Sequence, residues 1–123
     1  MTNAEAARFA AEWVESFNGK DISSLLLHFA EDATFRSPKA GAFGASPCLN
    51  SREELQTYWT AALQKIGSLH FTLDRVVNDP AERRLVIIYV AETDGNRVRA
   101  SEIYEFNESS RIIHGEAMYG TPL

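Results

Sequence analysis

One carboxyl group stands where the sequence pattern is otherwise apolar. Between Val98 and Phe106 every second residue is apolar or aromatic except Glu102. Alternate residues of a β-strand share one face, so this carboxyl would lie among apolar neighbours, where removal from water raises its pKa. We take Glu102 as the candidate catalytic residue, able to act as a general acid or base or to donate a hydrogen bond to a ligand carbonyl. The alternative is that it bonds to a neighbouring Tyr, Trp or Arg side chain and only stabilises the fold.

Aromatic side chains recur at helical or strand spacing along the whole chain. They could line an apolar pocket with a few polar tips around the carboxyl. The candidate ligand-binding aromatic residues are Trp13, Phe17, Phe35, Tyr58, Trp59, Phe71, Tyr89, Tyr104 and Tyr119. Residues at such spacing are more often plain core, so we expect about half of them to touch a cavity.

The other reactive side chains form no cluster in the sequence. His28, His70 and His114 are scattered, and Cys48 has no second cysteine at a metal-ligand spacing, so no metal site is predicted. No glycine-rich phosphate loop is present, and no cofactor is expected. His114 and Glu116 share a strand face and could form an acid/base pair, but solvent or a dimer partner explains polar groups there better.

Composition restricts the partners and the compartment. The 123 residues are 45% hydrophobic, enough for one buried core, and the net charge is −5 with a pI near 5.1. An acidic surface repels nucleic acid and anionic membranes, so neither is expected as a partner. A single cysteine and the lack of a long apolar run predict a soluble protein of the cytoplasm.

Three segments have the apolar periodicity of amphipathic helices. Thr2 and Glu5 have the spacing of a capping box before the first helix, Asp21 can cap the second, and Ser51 with Glu54 can cap the third. The apolar stripes that define these helices run over residues 6–17, 22–29 and 55–66.

The segment between the second and third helices connects a helical start to a strand-rich remainder. Glu31 and Asp32 predict a turn, residues 33–36 a short strand, and Pro38 its end, because proline cannot donate to a sheet ladder. Residues 39–47 are small and turn-rich. They predict a loop at the rim of a pocket, either a plain surface loop or a flexible lid.

The second half of the chain predicts a meander of strands. Asp94 and Gly95 give a hairpin turn, and the strand-like runs cover residues 69–77, 84–92, 97–107 and 111–119. Helices followed by such a meander predict a single α+β domain over residues 1–123. In it a conical, curved, mostly antiparallel sheet packs on three helices of the N-terminal half.

One strand has an apolar run on both faces. Residues 85–91 read LVIIYVA, a pattern typical of a strand that is buried on both sides. If one face covers the interior of the domain, the other must be covered elsewhere. We therefore expect a homodimer through the outer face of the sheet.

The order of these elements resembles the nuclear transport factor 2-like superfamily, and within it the SnoaL-like and ketosteroid isomerase-like branch. The segments that carry the resemblance are NGKD, FAEDATFRSP, SREELQTYW and RIIHGEAMYG. It covers nearly the whole chain and implies a conical α+β barrel, a homodimer, and a pocket between the long helix and the inner face of the sheet. It does not fix a function, since the superfamily includes isomerases, cyclases, hydrolases and binding modules.

The resemblance to steroid isomerases can be followed residue by residue. Those enzymes use a carboxylate base opposite an oxyanion hole of a tyrosine and an aspartic acid that an apolar environment keeps protonated. In this chain Ser37 falls at the position of the base, Trp13 at that of the tyrosine, and Glu102 at that of the aspartic acid. A serine hydroxyl is a poor proton acceptor, so a steroid isomerase of the usual kind is disfavoured.

Three functional readings follow. The first is a cofactor-independent protein that binds an apolar or aromatic small molecule. Glu102 would catalyse acid/base chemistry of isomerase, cyclase or hydrolase type, and Ser37, Trp13 and tyrosine hydroxyls would position the ligand. The second is a non-catalytic binding domain whose Glu102 is held in an internal hydrogen bond. The third is a protein-interaction domain whose interior is filled by its own aromatic side chains.

Overall fold

The computed structural model describes residues 1–43 and 46–123. Within these residues the chain forms three α-helices, one short 3₁₀ helix at Ala40–Phe43 and six strands. The helices are α1 (Asn3–Asn18), α2 (Ile22–Leu26) and α3 (Arg52–Lys65). The strands are β1 (Phe29–Arg36), β2 (Cys48–Leu49), β3 (Leu69–Asp79), β4 (Arg84–Thr93), β5 (Asn96–Phe106) and β6 (Ile112–Pro122).

The described strands form one mixed, open sheet. Their order is β2-β1-β6-β5-β4-β3, so β2 and β3 are the edges. All neighbours pair antiparallel except β1 and β6, which run parallel, with Phe35 opposite Gly115. The predicted α+β class and the mostly antiparallel sheet packed on three helices are confirmed.

The helices begin where the capping residues predict. Thr2 and Glu5 form a reciprocal capping box at α1, Asp21 accepts from the backbone N–H of Ser24 at α2, and Ser51 accepts from Glu54 at α3. The helix α1 packs against β3, and α3 packs against β1. Their apolar stripes meet the inner face of the sheet in one core.

The strand β1 starts earlier than the sequence indicates. Phe29, predicted in the second helix, is the first residue of β1, and the predicted turn at Glu31 and Asp32 is wrong because both residues lie in this strand. The pairing with β6 shifts register between Phe29 and Thr34, so the strict alternation of apolar residues is interrupted there. Glu31 and Asp32 are consequently both exposed, which gave them the appearance of a turn.

Elsewhere the predicted elements have the right type with shifted ends. The strand β3 continues through Asn78 and Asp79, two residues beyond the predicted end at residue 77, and the chain turns only after them. The predicted loop over residues 39–47 contains the 3₁₀ helix, and β2 follows it. Residues 44 and 45 of that loop lie outside the described residues.

The predicted hairpin between β4 and β5 has the geometry that its sequence requires. Asp94 and Gly95 have φ values of 49° and 85°. Two consecutive positive φ angles fit the right-handed twist of the flanking strands, which favours Asp-Gly at such turns. This turn fixes the register that places Ile87 opposite Glu102.

The two faces of β4 are buried to different extents in the single chain that the structure describes. Leu85, Ile87, Tyr89 and Ala91 are buried on the inner face, whereas the outward-facing valines and isoleucine are only half-buried.

In the described ranges, no helix is both long and apolar enough to cross a membrane.

Gly115 offers a test of the close packing between β1 and β6. A Cβ atom at this position would lie 2.7 Å from Phe35 Cδ1 and 2.8 Å from Tyr104 Cε1, so two buried rings would have to move. We expect Gly115→Ala to lower the free energy of unfolding in urea by about 1–3 kcal/mol. Gly19→Ala is the control, since its Cβ would lie 3.4 Å from the Glu15 carbonyl oxygen at an ordinary φ of −85°. Equal stability of both variants would contradict this packing.

Candidate functional site

Glu102 lies in the middle of the inner sheet face. Strand β5 places it between Ala100 and Tyr104 on that face, opposite Ile87 of β4 and Ala117 of β6. Only 4% of its surface is exposed. Among the residues whose burial is described, it is the only Asp, Glu, Lys, Arg or His side chain that is buried.

Tyrosine hydroxyls hold both carboxyl oxygens of Glu102. Tyr89 donates to Oε2 at 3.1 Å, and Tyr104 donates to Oε1 at 3.4 Å. The indole N–H of Trp13 in turn donates to the Tyr104 hydroxyl at 2.9 Å. The structure therefore brings four of the sequence-predicted site residues into one hydrogen-bonded chain.

Burial sets the protonation of this group. Loss of water raises the pKa of Glu102 to about 8, although the Tyr89 and Tyr104 hydroxyls and the charge of Lys39 act in the opposite direction. The neutral acid is therefore the main form at pH 7, and its O–H can donate a hydrogen bond or a proton. Burial and the nearby Glu102 charge also raise the pKa of Tyr89 and of Tyr104, so both remain hydroxyl donors.

A second polar group stands at the end of β1. Ser37 is buried, and its Oγ lies 3.3 Å from the Tyr58 hydroxyl. A hydrogen bond with Ser37 lowers the pKa of Tyr119, while burial and the charge of Glu102 raise it more strongly. Burial likewise raises the pKa of Tyr58, and Glu102 adds to that shift. The charge of Glu102 thus reaches Tyr58 and Tyr119, and Ser37 hydrogen-bonds with both of these tyrosines.

Lys39 lies beside these residues, although no pattern in the sequence selects it. Its Nζ lies 4.2 Å from the centroid of the Tyr119 ring. Burial lowers the pKa of Lys39, and the charge of Glu102 partly opposes that shift. The residue lies in the turn-rich stretch that reads as a plain surface loop, and only the contact with Tyr119 connects it to the inner face.

The remaining predicted aromatic residues pack on one another beside the carboxyl. Phe17 meets the Trp59 ring edge-on at 5.4 Å, and Trp13 stacks on Phe71 at 5.7 Å. Phe35 packs against Trp59 at 6.0 Å. All are buried, so they belong to the hydrophobic core beside the carboxyl, and whether about half of the predicted aromatic residues touch a ligand cavity stays a prediction.

The histidines and the cysteine lie away from this site. His28 is half-buried against the Phe9 ring, and burial lowers its pKa. His70 and Cys48 are exposed, and His114 is an exposed residue that hydrogen-bonds to Thr34. Within the described ranges, no three His, Cys, Asp or Glu side chains come together in a way that could hold a metal ion.

Solved structures share this fold over nearly the full chain. A SnoaL-like protein of unknown function from Burkholderia thailandensis is 28% identical, with a TM-score of 0.85 and coverage of 98% of this chain and 99% of that one. A cystatin-like protein of unknown function from Methylobium petroleophilum is 21% identical, with a TM-score of 0.79 and coverage of 100% and 80%. A steroid delta-isomerase from Pseudomonas aeruginosa is 22% identical, with a TM-score of 0.71 and coverage of 98% and 82%.

The sequence itself matches one protein family. Among curated proteins none matches it significantly. The profile of the SnoaL-like domain, however, matches residues 10–114, which run from the middle of α1 to the start of β6 and include Trp13, Ser37 and Glu102. The resemblance seen in the sequence is confirmed, and the chain belongs to the SnoaL-like domain family.

Proposed function

We propose that this protein binds an apolar or aromatic small molecule against the inner sheet face, with the neutral carboxyl of Glu102 facing a polar atom of the ligand. The observation that carries the proposal is a fully buried acid, with a pKa of about 8, surrounded by aromatic side chains. Such a group donates a hydrogen bond to a carbonyl oxygen more strongly than a hydroxyl does, and it can transfer its proton near neutral pH.

The chemistry that suits this site is proton transfer without a cofactor, of isomerase, cyclase or hydrolase type. As a proton donor, Glu102 would polarise a ligand carbonyl. As an anion, it could remove a proton while Tyr89 and Tyr104 stabilise the charge through their hydroxyls. A steroid isomerase of the usual kind is not proposed, since Ser37, at the position of its base, pairs with Tyr58 instead.

The ligand would enter beside Tyr119 and Lys39. Tyr89 and Tyr104 are buried on all sides, whereas Tyr119 is half-buried and Lys39 is exposed. These two residues mark the part of the site nearest to solvent.

A specific observation also favours a second function, that of a non-catalytic binding or interaction domain. Both oxygens of Glu102 already accept hydrogen bonds from the protein, and Trp13 holds Tyr104 in place. A carboxyl bonded in this way can act as a fixed polar anchor of the core. The two functions differ in whether a ligand exchanges hydrogen bonds with these hydroxyls.

We also propose that the protein is a homodimer formed through the outer sheet face. An outer apolar patch crosses four strands, in which Val77 pairs with Val86, Val86 with Ile103, and Ser101 with Met118. Val77 is 53% exposed and Met118 is 45% exposed.

The outer apolar patch continues into a groove of about 590 Å³ that contains both acidic and basic side chains, including Arg84 and Glu116. Two copies related by a two-fold axis could cover the patch and pair these charges.

Ligand binding can be tested by thermal shift with steroids, aromatic polyketide-like compounds, terpenoid epoxides and fatty acids. A ligand at about ten times its Kd stabilises the native state by about 1.4 kcal/mol, which raises Tm by several degrees. We expect Glu102→Gln to reduce the shift by half or more, because glutamine cannot donate through an O–H group. Glu105→Gln, on the same strand but the opposite face, is the matched control. An equal shift in both variants would remove Glu102 from the binding site.

The protonation of Glu102 predicts how stability depends on pH. In the unfolded chain Glu102 has an ordinary carboxyl pKa of 4.5, whereas in the native state its pKa is about 8. As the pH rises, the unfolded chain therefore loses this proton before the native state does. Stability from the neutral acid is therefore full below about pH 4.5 and falls as pH rises, until Glu102 ionises in the native state at about pH 8. The slope is up to about 1.4 kcal/mol per pH unit. The free energy of unfolding in urea should fall over this pH range in the wild type and in Glu105→Gln but not in Glu102→Gln. The same pH dependence in all three proteins would contradict the raised pKa of Glu102.

The dimer can be tested by sedimentation at micromolar concentration. The wild type should sediment as a dimer. Ile88 lies on the outer face of β4, opposite Ser101 of the patch, so Ile88→Glu would bury a charge in the interface and should shift the population towards monomer. Leu27→Glu is the control, since Leu27 is 65% exposed at the end of α2, away from this patch. A monomeric wild type would refute the interface.

A further inference from the structure

The outer sheet face carries a row of side chains that is charged at one end and apolar at the other. Arg36 of β1 is the cross-strand partner of Glu116 of β6. Glu116 lies in turn opposite Ile103 of β5, which lies opposite Val86 of β4. The first three of these residues line the groove of about 590 Å³, and the last two belong to the outer apolar patch. A protein that covers the patch therefore meets Arg36 and Glu116 at its margin.

Arg36 and Glu116 have opposite charges and lie side by side, but they do not pair with each other. Within residues 1–43 and 46–123, neither side chain forms an ion pair or a hydrogen bond. The groove's other arginine and glutamate do pair, since Arg84 Nη2 lies 3.9 Å from Glu105 Oε2. The Arg36 guanidinium and the Glu116 carboxylate are therefore both available to a second molecule, one as a donor and the other as an acceptor.

A two-fold axis turns this pair of charges into a self-complementary surface. In an isologous interface every contact occurs twice, so if Arg36 meets the partner's Glu116, then Glu116 meets the partner's Arg36. Each copy contributes one positive and one negative group, and no net charge is enclosed. The occupant that this arrangement fits is therefore a second copy of the chain.

We propose that two reciprocal ion pairs, each between Arg36 of one copy and the partner's Glu116, orient the two copies in the dimer. The inference rests on the proposed function, since it names contacts within the proposed sheet-face interface. An apolar patch permits several orientations of its partner, whereas charges at its margin favour one orientation and penalise those that bring like charges together. The apolar patch thus supplies most of the affinity, and Arg36 with Glu116 supplies the register.

The experiment reverses the two charges in separate variants. Arg36→Glu gives a copy with two acids at this margin, and Glu116→Arg gives a copy with two bases. Each variant alone brings like charges together twice, so we expect its dimer dissociation constant to rise at least about tenfold in sedimentation. In an equimolar mixture both contacts join opposite charges. We expect native mass spectrometry of the mixture to show heterodimer well above the fraction that random exchange of copies gives.

The chain offers a matched control at the opposite end of the same face. Glu92 of β4 and Arg97 of β5 are also cross-strand partners of opposite charge, and they lie next to the turn between these strands, outside the groove. Glu92→Arg and Arg97→Glu make the same changes in net charge. We expect both to dimerise as the wild type does and to mix at random.

The outcomes separate this inference from the proposed dimer. An ion pair within one chain would be lost in both variants without favouring the heterodimer, so excess heterodimer is specific to contact between copies. A wild type that dimerises, with variants at positions 36 and 116 that mix at random, overturns the ion pairs alone. A wild type that is monomeric at micromolar concentration overturns the proposed dimer and the ion pairs with it.

Discussion

The burial of one carboxyl is the constraint on which the inner half of this structure depends. Moving an ionised carboxylate out of water is costly, so a buried acid needs either a proton or several hydrogen bonds. Glu102 has both, because two tyrosine hydroxyls reach its oxygens and its pKa lies near 8. Tyr89 belongs to β4, whereas Tyr104 and Glu102 belong to β5, so the hydrogen bonds of the site form only when β4 and β5 pair in this register.

The hydrogen bonds around Glu102 also explain why tryptophan suits position 13. Its N–H can only donate, and the Tyr104 hydroxyl that receives it is then free to donate onward to the carboxyl. The chain of donors from α1 to β5 thus has one direction. A tyrosine at position 13 could also accept a hydrogen bond, which would allow the direction to reverse. The indole therefore links the first helix to the sheet and fixes the orientation of the Tyr104 hydroxyl.

Sequence reasoning could find Glu102 because a strand's alternation is a local property, and one polar residue in an apolar row is visible without a structure. It also placed Trp13, Tyr89 and Tyr104 on inward faces, although the bonds between them depend on which strands become neighbours. Lys39 could not be found in this way. Its role depends on contact with Tyr119, a residue of a distant strand, and the residues around it follow no periodic pattern. The early start of β1 was missed for a related reason, since a register shift against β6 hides its alternation.

The parallel pairing of β1 with β6 has a consequence for how the molecule forms. Thr34 and His114, which pair across these strands, are 80 residues apart in sequence. Contacts at such separation close a large loop, and the entropy of that loop must be overcome before the contact contributes any stability. The hairpins from β3 to β6 can form locally as soon as they are synthesised. The strand that carries Phe35 and leads to Ser37 and Lys39 can pair with β6 only once β6 has been synthesised, so this side of the site depends on a long-range contact and not on a local hairpin.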